Sequence, residues 1–75
     1  MVDGEFKKYY KTLGLNVAYY RKKRELTQEQ LAEKAGVERS RVGKTETAWA
    51  GTSLDVVFRI AKALEIEPVL LFEDR

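Results

Sequence analysis

Apolar residues recur every three or four positions along most of the chain, which is the spacing of residues on one face of an α-helix. In residues 6–24, Leu13, Val17 and Tyr20 follow this spacing and predict the first helix. Gly14 lies inside it. Because glycine costs about 1 kcal/mol relative to alanine in a helix, we expect the residues before it to form a separate turn or an N-terminal extension of the helix. Residues 1–4 are expected to be a loose end.

The stretch from 27 to 46 predicts two short helices joined by a tight turn. Thr27 and Gln30 have the spacing of a capping box, in which each side chain bonds the backbone N–H of the other residue at a helix start. Gly36 follows where the first helix should end and a positive φ is required. The next residues have the length of a second helix, with Val42 as its apolar position. The apolar face of the first helix comprises Leu31, Ala32 and Ala35.

Two further helices are predicted after a loop over residues 47–53. Ser53 is a suitable cap for a helix over 54–64, and Pro68 takes the first position of a final short helix, where proline is favoured. The core should include Leu54, Val57, Ile60, Ala61 and Leu64 from the fourth helix, with Leu71 and Phe72 closing it. The pattern therefore predicts an all-α fold, a compact domain of five helices without strands.

The composition fits one small globular domain, residues 1–75, and offers little to catalysis. Its 44% of hydrophobic residues argues against disorder. Cysteine and histidine are absent, and no glycine-rich phosphate loop is present. We therefore expect no enzyme activity, no metal and no cofactor. No apolar run is long enough to span a membrane and no signal peptide is recognisable, so a cytoplasmic location is expected.

Charge is distributed unevenly along the chain. Residues 1–44 carry 11 basic and 6 acidic side chains, a net charge of +5, whereas residues 45–75 carry 3 basic and 6 acidic ones, a net charge of −3. One basic and one acidic end suit a protein that presents one face to a polyanion. A solubilising surface would explain the same charges equally well.

Three positions in the two-helix stretch carry a resemblance to a known family. A small Ala32, a turn Gly36 and a branched Val42, spaced 4 and then 6 residues apart, resemble the helix-turn-helix of the phage repressor and Cro family, also called XRE-like. The segments TQEQLAEKAGV and SLDVVFRIAKALEIEPVLLF add to the match, which covers residues 13–72. The resemblance implies a DNA-binding domain whose helix-turn-helix unit lies at about 27–46. The alternative is an ordinary helical hairpin within a bundle.

The second helix of such a unit enters the major groove of DNA, so its outward residues are candidates for reading bases. Arg39, Ser40, Gly43 and Lys44 fall within about 140° of one another at 100° per residue. Arginine can pair bidentately with guanine. In the family the matching positions contact bases, which predicts base contacts from Arg39, Ser40 and Lys44. The alternative is a solvated charged face.

A second group of residues is predicted to contact the sugar–phosphate backbone. Arg41 lies at the margin of the reading face, and Gly43 would let the helix backbone approach a base or sugar. Lys22 and Lys23 belong to a basic run, RKKR, near the predicted end of the first helix. Such charges would equally well stabilise that helix terminus by themselves.

The resemblance also predicts how the reading helix is braced. In the family a glutamine at the position of Gln28 commonly bonds a phosphate and braces this helix. An arginine late in the first helix pairs there with a glutamate that ends the reading helix, and this predicts a structural pair of Arg21 and Glu46. Two unrelated surface charges are the alternative.

The chain departs from the family pattern in and after the reading helix. The family usually has isoleucine or leucine where Thr45 stands, glycine where Ala48 stands and proline where Thr52 stands. We expect Trp49 to fill the missing volume, since a buried tryptophan covers about 150–250 Å². These departures leave the geometry of residues 45–53 open.

Apolar residues left over once the core is filled predict self-association. They are Val56, Phe58, Val69 and Leu70, with Leu15 and Tyr19 on the first helix. Exposed together they would form a patch that soluble monomers seldom tolerate, although many proteins carry some apolar surface. We therefore predict a sequence-specific, double-stranded-DNA-binding transcriptional regulator, a repressor that acts as a homodimer on a palindromic operator. The alternative is an antitoxin-like or adaptor module that binds a protein partner and binds DNA weakly or not at all.

Overall fold

The computed structural model describes residues 4–75, and its regular elements in that range are all helical. In chain order they are α1 (Lys7–Lys23), α2 (Gln28–Ala35), α3 (Arg39–Glu46), α4 (Leu54–Leu64) and a C-terminal 3-10 helix (Pro68–Phe72). The predicted all-α class is confirmed. The five-helix count was slightly wrong, because the described residues form four α-helices and the last element is a short 3-10 helix. Residues 1–3 of the predicted loose end lie outside the described part.

The residues before Gly14 form the predicted N-terminal extension of the first helix, and the alternative of a separate turn was wrong, since α1 runs unbroken from Lys7 through Gly14. Gly14 is buried where α1 crosses the C-terminal end of α3. A Cβ atom there would clash with the carbonyl oxygen of Thr45 and lie 2.6 Å from that of Glu46. Glycine is therefore required for close backbone approach, and the packing that it permits outweighs its weak helix propensity.

The turn between α2 and α3 is built from local hydrogen bonds. The Thr27 hydroxyl accepts a bond from the backbone N–H of Gln30 at 3.0 Å, and the Gln30 side chain accepts one from the backbone N–H of Thr27 at 2.9 Å. The predicted capping box is therefore present. Gly36 ends α2 with a φ of 71°, in the left-handed region that glycine adopts at little cost.

A single core lies between α1, α2, α3 and α4 and is closed by the 3-10 helix. Two predicted core residues are wrong, because Leu54 is 62% exposed and Phe72 is 48% exposed. Leu54 is the first residue of α4 and lines an open groove with Phe6 and Phe72. The core cluster is Leu13, Val17, Leu31, Ala32, Ala35, Val42, Val57, Ile60, Ala61, Leu64 and Leu71.

A buried polar contact, which the sequence analysis did not find, fastens the C-terminal segment to α1. Asn16 is fully buried, and its Nδ2 donates hydrogen bonds to the carbonyl oxygens of Leu71 at 3.0 Å and Glu73 at 2.7 Å. Nearby, the Arg75 guanidinium lies 3.3 Å from the centroid of the Tyr19 ring. The proximity of this guanidinium lowers the pKa of the Tyr19 hydroxyl. Arg75 covers one face of Tyr19, so this ring is less available to a second chain than predicted.

Candidate nucleic-acid interface

The outward surface of α3 carries the residues that were predicted to read bases. Arg39, Ser40, Arg41 and Lys44 are all exposed, whereas Val42 and Thr45 point into the core. In a helix with 3.6 residues per turn, Ser40 and Lys44 lie one turn apart on the side opposite these buried positions. The side of α3 that faces solvent is therefore polar and basic, and its opposite side is buried.

Three side chains from three helices hold α3 in place. Arg21 of α1 donates to Glu46 of α3 through Nε at 2.6 Å and through Nη2 at 3.1 Å. Gln28 of α2 donates from Nε2 to the same carboxylate at 3.0 Å. A third donor of Arg21, Nη1, reaches the carbonyl oxygen of Leu26 at 2.8 Å. The structure thus brings together Arg21, Glu46 and Gln28.

This network is shielded from water, so breaking it should cost more free energy than breaking a surface ion pair. The side chains of Arg21 and Glu46 are only 12% and 6% exposed. A bidentate arginine–carboxylate pair fixes orientation as well as distance, and a charge left alone at such a site would be costly. Because Glu46 is the last residue of α3, the pair determines where that helix ends relative to α1 and α2.

Gly43 lies on the side of α3 that faces the Gln28 side chain. A Cβ atom at this position would lie 3.6 Å from Gln28 Oε1, an ordinary van der Waals distance, and would meet nothing closer. Gly43 is therefore unlike Gly14, because the protein itself does not require glycine here. Any need for its small size has to come from something outside the protein.

The loop after α3 keeps a glycine-type conformation without a glycine. Ala48 is buried with a φ of 56°, a left-handed conformation that L-residues rarely adopt. Thr45 is also buried, and its hydroxyl donates to the carbonyl oxygen of Arg41 at 2.8 Å.

The hydroxyl oxygen of Thr52 is buried without a partner among residues 4–75. Trp49 was expected to fill missing volume, and this was wrong because the residue is 52% exposed.

The residues of the basic run at the end of α1 point in different directions. Lys22 and Lys23 are both exposed. The Lys23 ammonium lies 5.8 Å from the centroid of the Tyr19 ring, whereas Arg21, two residues earlier, turns toward α3. Two residues correspond to about 200° around a helix. Lys23 is therefore on the far side of α1 from the Arg21–Glu46 pair, and the structure does not bring it to the α2–α3 unit.

The predicted dimer residues are only partly available at the surface. Phe58 and Val69 are exposed, whereas Val56 and Leu70 are half-buried, and Val56 packs against the core. More apolar surface lies beside them than the sequence analysis found. Leu54 precedes Phe58 by one turn of α4. It shares its groove with three further exposed side chains, Phe6, Tyr9 and Phe72.

Other kinds of site receive no support in the part of the chain that the structure describes. Residues 4–75 contain no cluster of three or more potential metal-ligating side chains. No helix in that range is long and apolar enough to cross a membrane.

An exposed basic helix that follows another helix through a tight turn is the arrangement of a helix-turn-helix DNA-binding domain, and here a largely buried ion pair fastens that exposed helix to α1. The helix-turn-helix family profile (HTH_3) matches residues 17–71. The chain therefore belongs to this family, of the XRE-like type that its sequence resembles. The match begins ten residues after the first residue of α1, so the start of this helix lies outside it.

The chain is similar to known regulators in sequence and in structure. It is 41% identical over 58 residues to an uncharacterised HTH-type transcriptional regulator of Methanocaldococcus jannaschii, covering 75% of this chain and 88% of that protein. It superposes on the restriction-modification controller protein C.AhdI of Aeromonas hydrophila with a TM-score of 0.81 and 36% identity, covering 84% of this chain and 96% of the other.

A third comparison concerns the fold alone. An HTH_3 family transcriptional regulator from Vibrio cholerae gives a TM-score of 0.85 at 20% identity, covering 91% of this chain but 38% of that one. Taken with the family profile and the more similar relatives, the protein is a DNA-binding transcriptional regulator. Its family is one of regulators and not of enzymes.

Proposed function

We propose that the protein is a sequence-specific repressor that binds double-stranded DNA as a homodimer on a palindromic operator. The observation that carries the proposal is the exposed basic surface of α3 held by the buried Arg21–Glu46 pair. A helix that is to read base edges has to keep its orientation, because base contacts depend on geometry. As a regulator of DNA it would act in the cytoplasm.

In this proposal, three side chains of α3 read bases in the major groove. Arg39 would pair with guanine through two hydrogen bonds, and Lys44 would reach a base acceptor one turn further along. Ser40 lies between them and its small side chain lets the helix approach closely. All three side chains are exposed, and none of them forms an ion pair within residues 4–75.

Phosphate contacts would come from the rim of the same surface. Arg41 is exposed at the margin of α3, and Lys22 is exposed at the end of α1. Gln28 gives its Nε2 to Glu46 through one hydrogen, and the second hydrogen of this amide remains available for a phosphate oxygen. Gly43 would allow the backbone of α3 to approach the DNA. Lys23 contributes least, since it lies beside Tyr19.

The homodimer would form through a set of exposed apolar side chains, here called the apolar stripe. Its six members are Phe6, Tyr9, Leu54, Phe58, Val69 and Phe72, and each is roughly half-exposed or more. If each large side chain presents about 100 Å² of this surface, one stripe offers about 600 Å². Two stripes would bury about 1,200 Å², the lower end of stable interfaces. Twofold pairing would place two α3 helices roughly 34–36 Å apart, one DNA turn.

A salt titration tests the proposed DNA binding. Operator candidates selected from a random duplex pool are labelled, and binding is measured by anisotropy between about 50 and 200 mM salt. Several released counterions should lower the affinity by about three orders of magnitude over this range. Arg41→Ala and Lys22→Ala should each reduce the slope of log affinity against log salt by about 1 per bound subunit, or about 2 for the dimer. Lys62→Ala, which removes an exposed charge from α4, should leave it unchanged.

The apolar stripe also favours a second candidate, an antitoxin-like or adaptor module that binds a protein. That candidate predicts weak DNA binding with no preferred sequence in the same experiment. Failure to select any motif from the pool, together with equal weak affinity for all duplexes, would replace the repressor proposal by this one.

A further inference from the structure

The end of α3 has a specific hydrogen-bonded form that positions the next residues. The backbone N–H of Trp49 donates to the carbonyl oxygen of Lys44 at 2.9 Å, and that of Ala48 donates to Thr45 at 3.2 Å. With Ala48 in the left-handed conformation, these two bonds make up a Schellman motif, which terminates a helix and reverses the chain over its last turn. The loop therefore begins by folding back onto α3 instead of leaving it.

This motif indicates which residue of α3 lies next to the Trp49 side chain. In a Schellman motif the side chain two positions beyond the helix cap usually lies against the residue whose carbonyl its backbone bonds, here Lys44. Lys44 is on the exposed reading surface of α3, and so is Thr47 at the helix cap. The sole tryptophan of the chain therefore lies at the C-terminal edge of this surface.

Trp49 makes no aromatic or cation–π contact within residues 4–75. Its side chain is 52% exposed. Trp49 is also absent from the residues that line the apolar groove with Leu54 and Phe72. It is therefore not a member of the apolar stripe.

We infer that Trp49 is a DNA-backbone contact, with its ring against a deoxyribose and its indole N–H donating to a phosphate oxygen at the edge of the major groove. The indole offers one donor and no acceptor, and phosphate oxygens are the acceptors that line a groove edge. The inference rests on the proposed function and extends it to a neutral residue outside the helix.

A neutral donor leaves a signature that a basic side chain does not. Lysine and arginine displace counterions when they bind phosphate, so their removal changes the salt slope. Removing Trp49 should lower the affinity equally at every salt concentration. Because one hydrogen bond to a charged group contributes about tenfold or more in affinity, Trp49→Phe should weaken binding about tenfold per subunit, or about 100-fold for the dimer. Trp49→Ala, which also removes the ring, should weaken it by at least as much.

The experiment measures these two variants against the wild type on the selected duplex, with thermal unfolding to verify that each is folded. Acrylamide quenching of the tryptophan emission is recorded in the wild type, free and at saturating DNA. Parallel salt lines displaced to weaker affinity for both variants, and protection from acrylamide in the complex, are the expected results.

Four results would overturn the inference. Wild-type affinity in both variants would remove Trp49 from the interface while leaving the proposed function intact. Unchanged quenching at saturation, or protection that follows protein concentration without DNA, would assign the ring to solvent or to a protein contact. Absence of salt-dependent DNA binding by the wild type would overturn the proposed function together with the inference.

Discussion

Gly14 and Glu46 meet through their backbones, so closely that a methyl group on Gly14 would lie 2.6 Å from the Glu46 carbonyl oxygen. This approach places the middle of α1 on the end of α3. It also brings Arg21, two helical turns further along α1, level with the Glu46 carboxylate. The glycine and the ion pair therefore act on the same end of the reading helix, one through the backbone and one through side chains.

Alanine at Gly14 should destabilise the protein, and alanine at Gly43 should not. Both substitutions add about 1 kcal/mol of helix propensity. At Gly14 the new methyl group meets backbone that cannot move away, and we expect a net loss of about 1–3 kcal/mol. At Gly43 the nearest atom would be 3.6 Å away, so stability should rise by up to about 1 kcal/mol. Urea denaturation of both variants measures the difference, and equal effects of the same sign would contradict it.

Arg21 and Glu46 should be energetically coupled more strongly than an exposed pair. In a double-mutant cycle with alanine at both positions, we expect an interaction above about 0.5 kcal/mol and up to about 3 kcal/mol, because both side chains are largely buried. The matched control is Asp55 and Arg59, whose side chains are 74% and 52% exposed. Their cycle should give about 0.3–0.5 kcal/mol. Additive losses for Arg21 and Glu46 would mean that the pair does not hold α3.

Alanine at Arg39 or Lys44 should relax base preference, each at its own position in the operator. A lost bidentate or direct base contact costs about 1–3 kcal/mol for the preferred base and little for the others. Selection from a random duplex pool, repeated with each variant, measures the change. Lys22→Ala is the control, since removing a phosphate contact should weaken all sequences alike. An unchanged motif for Arg39→Ala would mean that α3 reads DNA through other residues.

Glutamate at Leu54 and Val69 together should convert a dimer into a folded monomer. Both side chains are more than 60% exposed, so the change should spare the core while placing like charges in the apolar stripe. Leu70, predicted from sequence as an interface residue, is half-buried and less suitable. Sedimentation at tens of micromolar protein should give the mass of a monomer. Affinity for a palindromic site should fall strongly in the same variant.

Leu15→Glu tests the choice of surface, because Leu15 was also counted from sequence among the surplus apolar residues and is 68% exposed on α1, but it is not part of the proposed stripe. It should leave the mass and the DNA affinity unchanged. A monomeric wild type with full affinity for a single half-site would refute dimerisation altogether.

The helix-turn-helix unit could be predicted from the sequence because its signals are local. The Thr27–Gln30 capping box joins residues three positions apart, and Gly36 supplies a backbone conformation that is a property of one residue. The buried positions of α2 and most of those of α4 follow from helical periodicity in the same way. Such signals are read within one or two helical turns, so the bounds of these helices did not depend on how the domain packs.

Contacts between distant segments could not be predicted from local sequence patterns. Periodicity assigned Leu54 to the core, but this residue starts its helix at an open groove. Local propensity left open whether the helix breaks at Gly14, whereas the crossing of α1 and α3 makes glycine necessary there within a continuous helix. The Arg21–Glu46 pair was expected from family resemblance alone, and the hydrogen bonds from Asn16 to Leu71 and Glu73 were not expected. Burial and hydrogen bonding between far-separated residues depend on where the helices meet in space, and single-helix patterns contain no information about that placement.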